Sequence, residues 1–162
     1  YVPESEVATV ADLAKPDVRE KFGGEITGID PNAGIMGMTE KAIGEYGLDG
    51  YELAKGTGPK MTMDLEKAIE RKAWIVVTAW TPHWMFGAHD LRFLGDPRDV
   101  YGDTEAVHAL VRKGFPADHP EVTRFLDDLH FELPELQELM AEMRERGDRA
   151  AIQAYVDEHF AQ

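Results

Sequence analysis

Residues 74–86 read Trp-Ile-Val-Val-Thr-Ala-Trp-Thr-Pro-His-Trp-Met-Phe. The apolar start predicts a buried strand, and the strand runs directly into rigid aromatic side chains. Trp80 and Trp84 are two of the three tryptophans in the chain, and His83 is one of six histidines. Pro82 stiffens the backbone just before His83. A strand that ends in this way is typical of the rim of a ligand pocket.

The residues before this stretch predict alternating strands and helices. Strands are expected at residues 25–30, 51–54 and 73–79, and helices at about residues 35–46 and 60–71. The order β-α-β-α-β predicts an α/β fold with a parallel sheet and helices packed on its faces.

Two loops follow the predicted strands at the carboxyl edge of this sheet, at residues 31–35 and 80–86. Ligands of such sheets bind beyond the carboxyl ends of the strands. The first loop leads into a helix, whose free amides and dipole favour an anion. Gly34 would allow close approach of a ligand to the backbone, although a glycine here could also simply make the turn.

The second loop offers an aromatic surface for a cation. Trp80 is expected to stack on a methylated ammonium group through cation–π attraction. Core packing or a subunit interface is the alternative for Trp80 and Trp84, since tryptophan is enriched there as well. Trp74, at the start of the strand, is interpreted as a packing residue.

His83 has several possible roles. Beside the tryptophans it could hold an anionic group of the same ligand, and the alternatives are a structural histidine, a metal ligand or a general base. No second histidine or carboxylate has suitable spacing for a metal site. The sequence also lacks a nucleophile elbow, a phosphate-binding loop and a dinucleotide motif. We therefore expect neither enzymatic activity nor a cofactor or metal.

The composition excludes other classes of function. The net charge is −14, from 31 acidic and 17 basic residues, which argues against binding nucleic acid or anionic membranes. The chain has no cysteine, so disulfides and thiolate chemistry are excluded. No stretch approaches the roughly 20 apolar residues of a membrane span.

Several segments together resemble the substrate-binding proteins of glycine betaine ABC transporters, the OpuAC-type family for compatible solutes. The resemblance extends from about Val7 to the end of the chain. It rests on residues 28–36, 46–48, 75–86 and 90–97, with Met61, Leu65 and Ala68 between them. It implies one three-layer α/β lobe of a type II periplasmic-binding-protein fold, followed by a helical C-terminal tail.

The resemblance also implies roles for individual residues. Trp80 looks like one wall of a tryptophan cage for the quaternary ammonium. His83 and the amides of Gly34 and Ile35 look like the grip on the ligand carboxylate. Further candidates for ligand contact are Ala33, Pro82 and Trp84. The family's other lobe supplies more cage tryptophans, which this chain does not contain, so weak binding by this chain alone is expected.

By the same resemblance, the chain divides into three parts. Residues 1–7 are predicted to be a hinge or linker remnant, residues 8–86 the ligand-binding lobe, and residues 87–162 a return hinge with a helical tail. The tail would pack partly on a first lobe of about a hundred residues that is missing before Tyr1. A short strand is expected at 90–94 and helices at 104–113, 121–129, 134–146 and 148–160.

The expected function is that of an extracytoplasmic solute-binding component of an ABC importer for glycine betaine, serving osmoprotection. Choline, carnitine, proline betaine, dimethylsulfoniopropionate and trimethylamine oxide are alternative ligands, and a fragment without independent binding is a further alternative. Expected partners are a permease subunit and a missing first lobe or a second copy of the chain. The location would be the periplasm or the outer face of the cytoplasmic membrane, with a lipid anchor and a permease fusion as options.

Overall fold

In the computed structural model, which describes residues 1–103 and 106–160, the chain divides into two units. The first unit comprises Tyr1–Trp80 and Arg92–Asp103. The second comprises residues 81–91 and the described residues from 106 onward. The domains predicted at residues 1–7, 8–86 and 87–162 stay predictions.

A small parallel sheet lies at the centre of the first unit. Strand β1 (Glu25–Thr27) pairs in parallel with β2 (Glu52–Ala54), and Thr27 lies opposite Ala54. On the other side, Thr27 forms a parallel bridge with Val77. The third strand that the sequence predicts at 73–79 is therefore reduced to one bridge. Two hydrogen bonds accompany this bridge: the Thr27 amide donates to the Val76 carbonyl, and the Thr78 amide donates to the Thr27 carbonyl.

Helices follow the strands as predicted. Helix α2 (Gly34–Glu45) follows β1, and α3 (Gly58–Glu70) follows β2, both within two residues of the predicted bounds. Helix α3 begins early because the Thr57 hydroxyl accepts a hydrogen bond from the Lys60 amide and Pro59 suits the first turn. These alternating elements confirm the α/β class.

The N-terminal part and residues 92–103 complete the core of the first unit. A 3₁₀ helix (Val10–Ala14) and α1 (Pro16–Lys21) precede the sheet. The strand predicted at 90–94 does not form; instead Gly95 bridges Thr9, with hydrogen bonds from the Val10 amide to Gly95 and from the Gly95 amide to Ala8. The core contains Val7, Val10, Leu13, Val18, Phe22, Ile26, Ala42, Tyr46, Leu48, Tyr51 and Val100.

The second unit is helical in its described part. Its elements are α4 (Met85–Ala88), α5 (Phe115–Asp118), α6 (Pro120–Asp128), α7 (Leu133–Arg146) and α8 (Asp148–His159). The last three agree closely with the predicted tail helices. Helix α4 crosses α7 so closely that a Cβ atom at Gly87 would lie 2.4 Å from the carbonyl oxygen of Gln137.

The helix predicted at 104–113 is wrong where the structure describes it. Residues 104 and 105 lie outside the described part, and residues 106–112 have no regular structure. Val107 and Leu110 are 79% and 94% exposed, so the predicted apolar face has nothing to pack against. A short helix without tertiary packing is not stable in water.

A hydrogen bond between the last two helices shifts one titration. The Tyr155 hydroxyl donates to the Glu135 carboxylate at 2.5 Å. This hydrogen bond raises the pKa of Tyr155 to about 12, with burial as the second cause. Across the described residues, no helix is both long enough and apolar enough to span a membrane.

Candidate ligand-binding site

Backbone hydrogen bonds in the first unit join the two segments that lead to the predicted site residues. The Thr27 amide donates to the Val76 carbonyl at 2.9 Å, and the Thr78 amide donates to the Thr27 carbonyl at 3.0 Å. The two segments therefore run in parallel and end at the same edge. Helix α2 begins a few residues after the first segment, and Trp80 lies two residues beyond Thr78.

The loop before α2 is ordered by its own hydrogen bonds. One carboxylate oxygen of Asp30 accepts from the backbone and the side-chain amide of Asn32, at 2.9 and 3.1 Å. The Ala33 amide donates to the Asp30 carbonyl at 2.9 Å. Among the described residues, no protein group accepts a hydrogen bond from the amides of Gly34 and Ile35. These two donors at a helix N-terminus can bind an anion.

Gly34 is not required by the fold. Its φ angle is not in the left-handed region, and a Cβ atom built there would have no neighbour within 4 Å. A glycine that simply made the turn would show one of these two constraints. The space beside the Gly34 amide is therefore open to a ligand.

Met36 holds the first turn of α2 against the end of β1. Its side chain is 1% exposed, and its sulfur accepts a hydrogen bond from the Ile29 amide at 3.2 Å. A Cβ atom at Gly28 would lie 2.6 Å from the terminal methyl of Met36, so glycine is needed there. Sequence reasoning missed this positioning contact, because methionine at a helical spacing is usually a core filler.

The tryptophans of the first unit have different surroundings. Trp74 packs edge-on against Phe22, with ring centroids 5.2 Å apart, and Lys21 lies over its ring at 4.6 Å. Its predicted packing role is confirmed. Trp80 is 39% exposed, which leaves part of the indole accessible to a ligand. The exposure argues against simple core packing of Trp80.

Pro82, His83 and Trp84 fall in the second unit, because the division lies between Trp80 and Thr81. Trp80, Ala33, Gly34 and Ile35 belong to the first unit, whereas the other three candidates belong to the second. The sequence does not reveal that Trp80 and His83, only three residues apart, belong to different units.

His83 has a defined tautomer. Its Nδ1 atom accepts a hydrogen bond from the Met85 amide at 3.2 Å, at the start of α4. The neutral ring therefore carries its proton on Nε2, where it can donate to an anion. Burial lowers the pKa of His83, and the positive charge of Arg144 lowers it further. The imidazole is therefore neutral at neutral pH.

Trp84 already has a cation beside it. The guanidinium carbon of Arg144 lies 3.9 Å from the ring centroid. The rings of His83 and His89 lie 5.4 and 6.1 Å from the indole. One face of Trp84 is thus covered by the chain itself, and its role in ligand contact stays a prediction. Within the described residues, no group of three or more histidine or acidic side chains could hold a metal ion.

The lowered pKa of His83 predicts a pH dependence of stability. Between this lowered value and the ordinary 6.5, the unfolded chain binds more protons than the folded chain. The free energy of unfolding should therefore fall as the pH drops below about 6.5. Above that pH, His83 should not make the free energy of unfolding depend on pH. Thermal unfolding between about pH 5.5 and 7.5, one unit either side of 6.5, measures this dependence. His83→Gln is the control that does not titrate. If the unfolding temperatures of the unchanged protein and of His83→Gln depend on pH in the same way, the lowered pKa of His83 is contradicted.

Comparison with known proteins identifies similar sequences over the whole described length. Residues 1–160 match the family model for the substrate-binding domain of the ABC-type glycine betaine transport system. The glycine betaine/carnitine transport binding protein GbuC of Listeria monocytogenes serotype 1/2a (strain 10403S) is 44% identical over 137 residues. The match covers 83% of this chain and 46% of that protein, so the chain spans about half the length of this relative.

Solved structures share the fold. Lactococcal OpuAC, in its closed-liganded conformation complexed with glycine betaine, has a TM-score of 0.75 and 31% identity; the match covers 94% of this chain and 59% of that chain. The glycine betaine, L-proline binding protein ProX of Borrelia burgdorferi has a TM-score of 0.73 and 31% identity, over 94% and 58%. Both are type II periplasmic binding proteins, which confirms the fold that the sequence predicts.

Proposed function

The chain belongs to the family of substrate-binding domains of ABC-type glycine betaine transport systems, and on this premise we propose that it binds glycine betaine or a close relative. It would act as a solute-binding component of an ABC importer. The observation that carries the proposal concerns the amides of Gly34 and Ile35, which donate to no group among the described residues. Open space adjoins Gly34, and Trp80 follows from the same sheet edge.

The two kinds of group match the two ends of a carboxylate-bearing quaternary ammonium. Trp80 offers an aromatic surface for the methylated ammonium, and the amides of Gly34 and Ile35 offer donors for the carboxylate. The Nε2–H group of His83 is proposed as a further donor to a carboxylate, since its tautomer has the right polarity. Ala33, Pro82 and Trp84 remain proposed lining residues.

The choice among solutes depends on whether the ligand carries a carboxylate. Choline has no carboxylate and would leave the amides of Gly34 and Ile35 unpaired. Carnitine carries both groups, and the Listeria relative is named for glycine betaine and carnitine. We therefore rank glycine betaine and carnitine above choline.

The remaining assignments rest on the family. Because this is a family of transport proteins, we propose that the chain binds and releases its solute without chemical change. It would act outside the cytoplasmic membrane with a permease subunit, either lipid-anchored, fused to the permease or free. One indole covers only one side of a trimethylammonium group, so a further lobe or a second copy of the chain would supply the other rings.

Gly34→Ala tests the anion end without disturbing the fold. The added methyl group meets no protein atom within 4 Å, but it would occupy the space beside the amide that a carboxylate must approach. We expect glycine betaine affinity, measured by calorimetry, to fall about ten-fold, or about 1.4 kcal/mol.

Gly37→Ala is the matched control, because Gly37 lies in the same helix and also has open space at its Cβ position. It should leave affinity unchanged and stabilise the helix by up to about 1 kcal/mol. If Gly34→Ala and Gly37→Ala bind glycine betaine with equal affinity, the amides of Gly34 and Ile35 do not contact the ligand.

A further inference from the structure

Two buried hydroxyl groups in the first unit have no hydrogen-bond partner among the described residues. They belong to Thr78, which is 4% exposed, and Tyr51, which is 9% exposed. Buried polar side chains in folded proteins are nearly always hydrogen-bonded to protein or to water. Each of these hydroxyls therefore needs an explanation.

The two residues that carry these hydroxyls lie at opposite edges of the sheet. Thr78 directly follows Val77, which bridges the last residue of β1, Thr27. Tyr51 directly precedes β2 (Glu52–Ala54). Since the strands are parallel, Thr78 is at the carboxyl edge, where the candidate site lies, and Tyr51 is at the amino edge.

The side chains of Thr78 and Trp80 are also expected on the same face of the sheet. The hydrogen bonds of Thr27 to the Val76 carbonyl and the Thr78 amide show that the chain is extended there. Side chains two residues apart in an extended chain share a face. Val77 and Ala79 are directed to the other face by the same rule.

We propose that the Thr78 hydroxyl is a further ligand-binding group, which donates a hydrogen bond to the carboxylate of the bound solute. The inference rests on the proposed function and adds another donor from the first unit to the amides of Gly34 and Ile35. A carboxylate can accept about four hydrogen bonds, so two amides leave part of it unsatisfied once water is excluded. The Thr78 hydroxyl, which has no partner among the described residues, is available for this purpose.

The test compares Thr78→Val with Tyr51→Phe. Each variant removes one unpartnered buried hydroxyl and keeps the shape of the side chain. Calorimetric titration with glycine betaine and with choline measures binding, and thermal unfolding without ligand measures stability. We expect Thr78→Val to weaken glycine betaine binding about ten-fold to a hundred-fold, in line with a charged hydrogen bond. Choline binding should change less than about two-fold, and Tyr51→Phe should change neither affinity.

Both variants should unfold at or above the temperature of the unchanged protein, since neither loses a hydrogen bond. A lower unfolding temperature for Thr78→Val would mean that the hydroxyl has a structural partner, and it would overturn the inference. Unchanged glycine betaine affinity, or equal losses for glycine betaine and choline, would do the same. If the unchanged protein is folded and does not bind glycine betaine, the proposed function itself fails, which is distinguishable from a loss confined to Thr78→Val.

Discussion

Trp80→Ala is expected to weaken glycine betaine binding about thirty-fold, with a much smaller effect on the unfolding temperature than the loss of a fully buried tryptophan would have. A desolvated cation–π contact with tryptophan contributes about 2 kcal/mol, and 1.4 kcal/mol corresponds to a factor of ten in affinity. Trp80 is 39% exposed, so its truncation removes less packing than the loss of a fully buried tryptophan would. Calorimetric titration and thermal unfolding of the same samples measure both effects. Choline affinity should fall by a similar factor, because Trp80 is assigned to the ammonium end.

Two variants control this experiment. Trp80→Phe keeps an aromatic face and should lose less affinity than Trp80→Ala. Phe93→Ala removes another exposed aromatic side chain of the first unit, 54% exposed, and should leave affinity unchanged. Full binding by Trp80→Ala would remove the indole from the site, and a large fall in its unfolding temperature would assign it to the core.

Gly28→Ala is expected to give the largest loss of stability. A Cβ atom there would lie 2.6 Å from both the Ala54 carbonyl oxygen and the terminal methyl of Met36. The methionine could move, but the carbonyl belongs to the backbone beside β1 and also accepts the Gly28 amide at 2.9 Å. Overpacking of this kind costs about 3 kcal/mol, which lowers the unfolding temperature by about 10 °C for a chain of this length.

Gly44→Ala provides the comparison for Gly28→Ala. Gly44 lies in α2 with nothing within 4 Å of its Cβ position, so alanine should be tolerated or slightly stabilising. If Gly28→Ala unfolds at the same temperature as Gly44→Ala, the close approach between Gly28 and Ala54 is not a constraint of the folded protein.

Local periodicity predicted α2 and α3 well, because both helices carry apolar side chains on one face and begin beside clear turn residues. It failed at 106–112, where Val107 and Leu110 have helical spacing but no surface to pack on. The apolar run at 73–79 predicted a full strand, yet only Val77 bridges to Thr27. Strand length depends on the hydrogen-bond and packing partners in the neighbouring strand, and the apolar run itself does not contain that information.

The candidate site was predictable in its topology and not in its details. The strand order placed the loops before Gly34 and at Trp80 at one sheet edge. The hydrogen bond from the Ile29 amide to the sulfur of Met36 arises from a tertiary contact that sequence spacing does not reveal. The same holds for the burial of the Thr78 hydroxyl without a partner among the described residues. The assignment of Trp80 and His83 to different units is likewise a property of the folded chain.

The most direct measurement is a calorimetric titration of the folded chain with glycine betaine, with choline as the comparison ligand. We expect saturable binding of glycine betaine and clearly weaker binding of choline, because only glycine betaine has a carboxylate for the amides of Gly34 and Ile35. Absence of glycine betaine binding by a chain whose folding is verified by thermal unfolding would contradict the proposed solute-binding function. Equal affinity for the two ligands would contradict the assignment of the amides to the carboxylate.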